Sequence, residues 1–115
     1  MKDLASRTRE FAVCIVRFFA TLPKTTEAQV IGKQMLRAGM SVGAHYREAT
    51  RSRSNAEFVS KIEAGLQELE ETQYWIEILR DVSMGKPEDL SALAREADEL
   101  TAILVTVVKK RKAAR

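Results

Sequence analysis

The chain holds one histidine, His45, and one cysteine, Cys14. Nucleophilic catalysis needs a nucleophile placed beside a base, so these two residues are the first to test. Cys14 lies among Phe11, Val13 and Ile15 and is expected to be a small buried hydrophobe. His45 falls at the edge of an apolar helical face, where a half-buried ring bonded to a neighbour is expected. A metal site of His and Cys fails on count. Di-iron bundles place a glutamate three residues before a histidine, but Val42 stands there. Glu63, Glu70 and Glu77 recur at heptad spacing on a helix flank, and read as a solvated or inter-subunit acidic face. No GxxxxGK[ST] or GxGxxG run occurs. In "GMSVGAHY" the glycines are four apart inside a helical pattern with no strand before it, which is not a phosphate loop. The chain reads as non-enzymatic, with no catalytic residue, metal or cofactor.

Basic side chains keep a functional claim. Arg47, Arg51 and Arg53 flank the polar run "ATRSRSNAEF", and Lys109, Lys110, Arg111, Lys112 and Arg115 crowd the tail. Arg47 and Arg51 are four apart, a like-charge pair that costs a little unless an anionic group answers it. Three answers are open: Glu48 and Glu57 nearby, an acidic helix of another subunit, or phosphate. The tail has two readings, a favourable charge at a helix C-terminus or phosphate contact. Tyr46 is the one aromatic interleaved with these bases, so base-specific stacking is not expected.

Charge is segregated along the chain. Pro23 to Arg53 holds six basic and two acidic residues, whereas Ser54 to Gly85 holds two basic and seven acidic. Such segments can pair within a chain or between copies of it.

These residues must be carried on helices. Leu4, Phe11, Ile15, Phe18 and Leu22 keep one helical face apolar until Pro23. Thr26 with Gln29 three residues on reads as a capping box for a second helix, whose face is Ile31, Met35, Ala38, Val42 and Ala49. Ser54 with Glu57 opens a third, carrying Phe58, Ile62, Leu66, Leu69, Gln73 and Ile76. Gly85 suits the position just past its end. Pro87, Glu88 and Asp89 suit the first turn of a fourth, with Leu90, Ala94, Ala97, Leu104 and Val108 as its stripe. The expected helices run over about 3–22, 27–50, 55–84 and 87–111. No period-two alternation of any length appears. The expectation is all-α: one domain over 1–115, an antiparallel up-down four-helix bundle.

Composition agrees. The 115 residues suit one domain, and 45% hydrophobic residues supply a core while 30% are charged. No apolar run approaches the ~18–20 residues of a membrane span, so no membrane partner is expected. The first residues carry both charge signs and lead into a run broken by Arg17, unlike a signal peptide. A single cysteine forms no internal disulfide, which fits a reducing cytoplasm.

Several helices carry a second apolar flank. Gly32, Leu36, Gly39, Met40 and Gly43 form one, Tyr74, Trp75, Ile78 and Val82 another, and Val13, Val16 and Ala20 a third. Such flanks pack on neighbouring helices of the chain or mark association. The interface reading takes Gly39, Gly43, Tyr74, Trp75, Ile78 and Val82, because aromatic residues are enriched at interfaces.

The segment from Gln34 to Val82 also resembles a known family. Its marks are Arg37 before the small-residue run Ser41, Val42 and Gly43, then Tyr46-Arg47-Glu48-Ala49. Arg51, Ser54, Ala56–Phe58, Glu68–Trp75 and Leu79–Asp81 follow. These resemble the four-helix-bundle proteins encoded by intervening sequences within bacterial 23S ribosomal RNA genes, whose fold is shared by the accessory protein of diversity-generating retroelements. The resemblance implies a homopentameric ring. The retroelement relatives associate with a reverse transcriptase and with nucleic acid, while most other members have no established activity. The resemblance therefore offers RNA or DNA and a reverse transcriptase or other protein as candidate partners, and it carries no catalytic residue. Many members have Asn-x-x-Glu-Gly where this chain has His45 to Ala49, which marks a variant subgroup. Two readings follow. One is an oligomer that binds nucleic acid or nucleoprotein through its basic surface. The other is a structural adaptor whose arginines serve subunit contacts.

Overall fold

Three helices start on a side chain that accepts one of the N–H groups a helix leaves unpaired. In α1 (Leu4–Ala20) Asp3 accepts from the Ser6 N–H at 2.8 Å. In α2 (Thr26–Thr50) Thr25 accepts from the Ala28 N–H at 3.3 Å, so the cap stands one residue before the expected Thr26. In α3 (Asn55–Asp81) Ser54 accepts from the Glu57 N–H at 3.0 Å, as its capping box predicts. The fourth, α4 (Pro87–Ala113), has no side-chain cap. Proline in its first turn has no N–H to satisfy, and Glu88 and Asp89 face the positive helix end. The computed structural model describes residues 3–114; the tail residue Arg115 lies outside them. Among the described residues there is no strand, and no helix is long and apolar enough to cross a membrane.

The end of α3 differs from expectation. The helix stops at Asp81. Ser83 takes the left-handed conformation (φ 57°) at the position assigned to Gly85. The Met84 N–H donates to the Leu79 carbonyl and the Ser83 N–H to that of Arg80, a Schellman closure. Gly85, also left-handed at φ 85°, does a different job. A Cβ there would lie 2.5 Å from Phe18 Cζ, so the loop passes flush over the buried Phe18 ring. A left-handed serine costs about 1–2 kcal/mol, and glycine's extra chain freedom gives back about 0.5–1. Ser83→Gly is therefore expected to stabilise the fold by about 0.5–1 kcal/mol, read as a raised urea midpoint at unchanged slope.

The helices follow one another around a square, each packed on the next and α4 returning to α1. The 49 × 22 × 22 Å outline lays all four along one axis. The core is the predicted stripes, with Leu4, Ile31, Leu66, Gln73 and Ala94 only half-buried, plus Ala28 of α2, Val59 and Leu79 of α3, and Leu93 and Leu100 of α4. Thr8 and Thr72, the buried polar residues, return their hydroxyls to the carbonyls of Leu4 and Glu68, so no desolvated group is left unpaired there.

Small residues set how close α1 and α2 come. A Cβ on Gly32 would lie 2.7 Å from Leu22, and one on Gly39 2.8 Å from Ile15. On Gly43 it would lie 3.2 Å from Thr8. The expectation of close helix packing holds, but the partner is α1 of the same chain, which corrects the placing of Gly39 and Gly43 on a subunit interface. Between α3 and α4, Gln73 donates to the Ala94 carbonyl and the Asp98 carboxylate, both at 2.9 Å. The α1–α4 seam is the most open. Arg7 clamps one end on Glu96 and Glu99 at 2.6–2.8 Å, and these carboxylates push its pKa higher still. Beyond that clamp an open groove of about 720 Å³ runs over Phe11, Phe18 and Leu93. Cys14 lies on its edge and is exposed. This corrects the expectation of a buried cysteine: position 14 points into the loose seam, which no bulky neighbour fills.

Candidate nucleic-acid interface

The fold brings the two basic clusters to one end of the bundle. α2 runs down to that end and turns, and Ser54 starts α3 back up. The side-chain amide of Asn55, in the first turn of α3, donates to the Arg111 carbonyl at 3.0 Å, and the Arg111 guanidinium donates back to Asn55 Oδ1 at 3.1 Å. The same guanidinium stacks 3.6 Å above the Phe58 ring centroid, a favourable cation–π geometry. The last turn of α4 is thereby pinned beside the α2–α3 corner.

The cations at this end divide into two groups. Arg111 and Lys112 are engaged within the chain, Lys112 with Glu63 at 3.3 Å. Arg47, Arg51, Arg53, Lys109 and Lys110 are exposed, and their side chains have no partner among the described residues. The proposed local answer fails. Glu48 turns to His45 and Lys61 instead, and Glu57 gives only its backbone N–H to Ser54. These cations are available to an anion outside the chain.

A second polar feature runs along the α2–α3 seam, and spacing alone did not assemble it. Trp75 donates its indole N–H to Glu71 at 3.0 Å, and Glu71 also takes the Arg37 guanidinium. Arg37 reaches Glu68 at 3.6 Å, and Glu68 lies 3.6 Å from His45 Nε2. His45 Nδ1 is 3.1 Å from Glu48, which pairs with Lys61 at 3.5 Å. His45 is half-buried and bonded to its neighbours, as expected. Trp75 is half-buried over its own core and meets Tyr74 edge-on at 5.0 Å, and Ile78 is half-buried too. Of the four residues on α3 and its C-cap assigned to an interface, Tyr74 and Val82 stay exposed. Every carboxylate in the seam has a basic or N–H partner, so the seam reads as a zipper between helices. Among the described residues no group of three or more His, Cys, Asp or Glu is arranged to hold a metal ion.

The zipper has a pH signature. The Trp75 N–H, and then Arg37, hold the Glu71 carboxyl below its ordinary 4.5. The folded chain then binds this proton less readily than the unfolded chain. Its contribution is complete above about pH 4.5 and is lost as pH falls through the folded-state value. Glu71→Gln should cost stability at pH 7 by about 0.5–1 kcal/mol, since the pair is partly solvated. It should also flatten the fall in urea midpoint as pH drops below about 4.5.

Comparison with known proteins places the chain in a family. The model of the 23S rRNA-intervening sequence protein family matches residues 3–106. A solved structure from Bacteroides thetaiotaomicron, described as a protein with unknown function from the S23 ribosomal protein family, superposes with a TM-score of 0.85. It shares 33% sequence identity, over 93% of this chain and 99% of that one. No curated protein matches. With nearly its whole length matched by the family's model and its four helices superposing on such a relative, the chain belongs to the 23S rRNA-intervening sequence protein family.

Proposed function

We propose that this protein is a non-enzymatic, cytoplasmic, oligomeric helical bundle that binds the phosphate backbone of nucleic acid through its basic end. One observation carries the reading: Arg47, Arg51, Arg53, Lys109 and Lys110 meet at one end of the bundle with no acidic partner among the described residues. Phosphate contacts give affinity without sequence choice, which agrees with a site whose one interleaved aromatic, Tyr46, is half-buried against the core. The family resemblance supports a cyclic, pentameric assembly and a nucleoprotein partner such as a reverse transcriptase. In a ring about an axis along the bundle every basic end points to the same side, so weak single contacts add into avidity.

Fluorescence anisotropy with labelled RNA and DNA tests the binding. Log affinity should fall with log salt at a slope of roughly −0.7 to −0.9 per phosphate contact. A second reading has one observation in its favour, the unpaired acidic face of α3: the arginines meet a neighbouring subunit instead. Arg51→Glu separates the two. An intact oligomer in light scattering with weakened nucleic-acid binding supports the proposal, and a dissociated oligomer supports the adaptor.

A further inference from the structure

We infer that copies of this chain join through the acidic stripe of α3 on one copy and the outer face of α1 on the next, with Tyr74 seated against Val16 and Arg17. The inference rests on the oligomeric reading above and replaces the pairing of α3 with α2. The α2 flank offers little for that pairing: Gly32, Gly39 and Gly43 are covered by α1, and Met40, 43% exposed, is its one open hydrophobic.

Two outward faces of the monomer lack a partner, and their chemistries are opposite. On α3, Glu63, Gln67, Glu70, Tyr74, Glu77 and Asp81 recur every three to four residues and are all exposed. Glu70, Glu77 and Asp81 have no partner among the described residues. Tyr74 stands in the middle of this stripe with 54% of its surface in solvent. On α1, Val13 and Val16 are 40% and 44% exposed, between Arg9 and Arg17, which also have no partner among the described residues. Ser6, Arg9, Glu10, Val13, Cys14 and Arg17 line a shallow depression of about 320 Å³. An aromatic ring suits its Val13 floor between two arginines, because a guanidinium stacks on the ring's face.

The heights along the bundle agree with this match. Gly32 of α2 packs on Phe19 and Leu22 of α1. Arg37, five residues along α2 from Gly32, pairs with Glu68 and Glu71 of α3. Running antiparallel to α2, α3 therefore has Tyr74 to Glu77 level with Phe19 to Leu22. Tyr74 lies level with the stretch just past Arg17, and Glu70 and Glu77 lie just below and just above it. In a ring about an axis along the bundle, residues of equal height meet, and α1 and α3 run in the same direction. Arg17 of one copy then falls between Glu70 and Glu77 of the next. Two different patches in contact make a head-to-tail interface, which propagates past a dimer.

The lone cysteine reports on it. Gln67→Cys adds a thiol to the neutral position of the stripe. A short bismaleimide should then link Cys14 of one copy to position 67 of the next, giving a covalent ladder of dimer, trimer and higher on a denaturing gel. The wild type, with one thiol per copy, gives at most a dimer, and Cys14→Ser in the Gln67→Cys background should abolish the ladder. Arg17→Glu alone, or Glu70→Lys with Glu77→Lys, should shift the assembly to monomer by at least tenfold in midpoint concentration. The three changes together should restore it, with circular dichroism confirming that each variant stays helical. If the wild type assembles but no ladder forms and Arg17→Glu leaves the assembly intact, this interface is wrong while the oligomeric reading stands. A wild type that stays monomeric at every concentration overturns both.

Discussion

Replacing Arg47, Arg51 and Arg53 together with glutamate is expected to weaken RNA binding by about 10²–10³-fold at low salt and to reduce the salt slope by about 2–3. Three lost phosphate contacts account for about two decades, and repulsion by three new carboxylates adds the rest. Stability should change little, because all three side chains are exposed and unpaired among the described residues. Surface changes of that kind stay within about 0.5 kcal/mol each. Lys24→Glu with Arg80→Glu and Arg95→Glu is the matching control. It makes the same charge change at three exposed positions away from the basic end, and should leave affinity nearly unchanged. The comparison separates a localised site from a general response to net charge.

The largest effect on stability is expected at Gly85. Gly85→Ala puts a Cβ on a left-handed residue, at a cost of about 1–2 kcal/mol. That Cβ would also lie 2.5 Å from the buried Phe18 ring. Overpacking of this sort costs about 1–3 kcal/mol. The sum, about 2–5 kcal/mol, is a large share of a small domain's stability and should appear as a much lower urea midpoint. Ser83→Gly, two residues away, should move the midpoint the other way. Opposite signs at neighbouring positions would show that the loop needs a left-handed residue at both, and that only the second is held by packing.

Gly85 also shows why part of the fold was legible and part was not. The helices themselves follow from local rules: periodic apolar residues, a capping box at Ser54 and Glu57, and proline in the first turn of α4. These involve residues within one turn of each other, so the chain displays them directly. The end of α3 is set instead by Phe18, distant in sequence, which claims the glycine that a local rule assigns to the helix cap. Cys14 failed for a related reason. Its neighbours are apolar, but the seam it faces is open, and seam width depends on how two helices meet. Gly39 and Gly43 were correctly tied to close approach, yet no local signal says whether the approaching helix belongs to the same chain.

The candidate site divides in the same way. Both basic clusters are visible as runs of residues. Their meeting at one end depends on α4 returning beside the α2–α3 corner, where Asn55 and Phe58 hold Arg111. The zipper from Trp75 to Lys61 was legible as residue types but not as a connected chain, because its links alternate between two helices.

The central claim is that the basic end meets phosphate. A salt titration of the wild-type protein on labelled RNA tests it most directly, beginning at ~50 mM salt where phosphate contacts are strongest. The account predicts binding at micromolar protein or tighter, with log affinity falling linearly in log salt by several units. An absence of binding at micromolar protein in ~50 mM salt, or an affinity indifferent to salt, would contradict it.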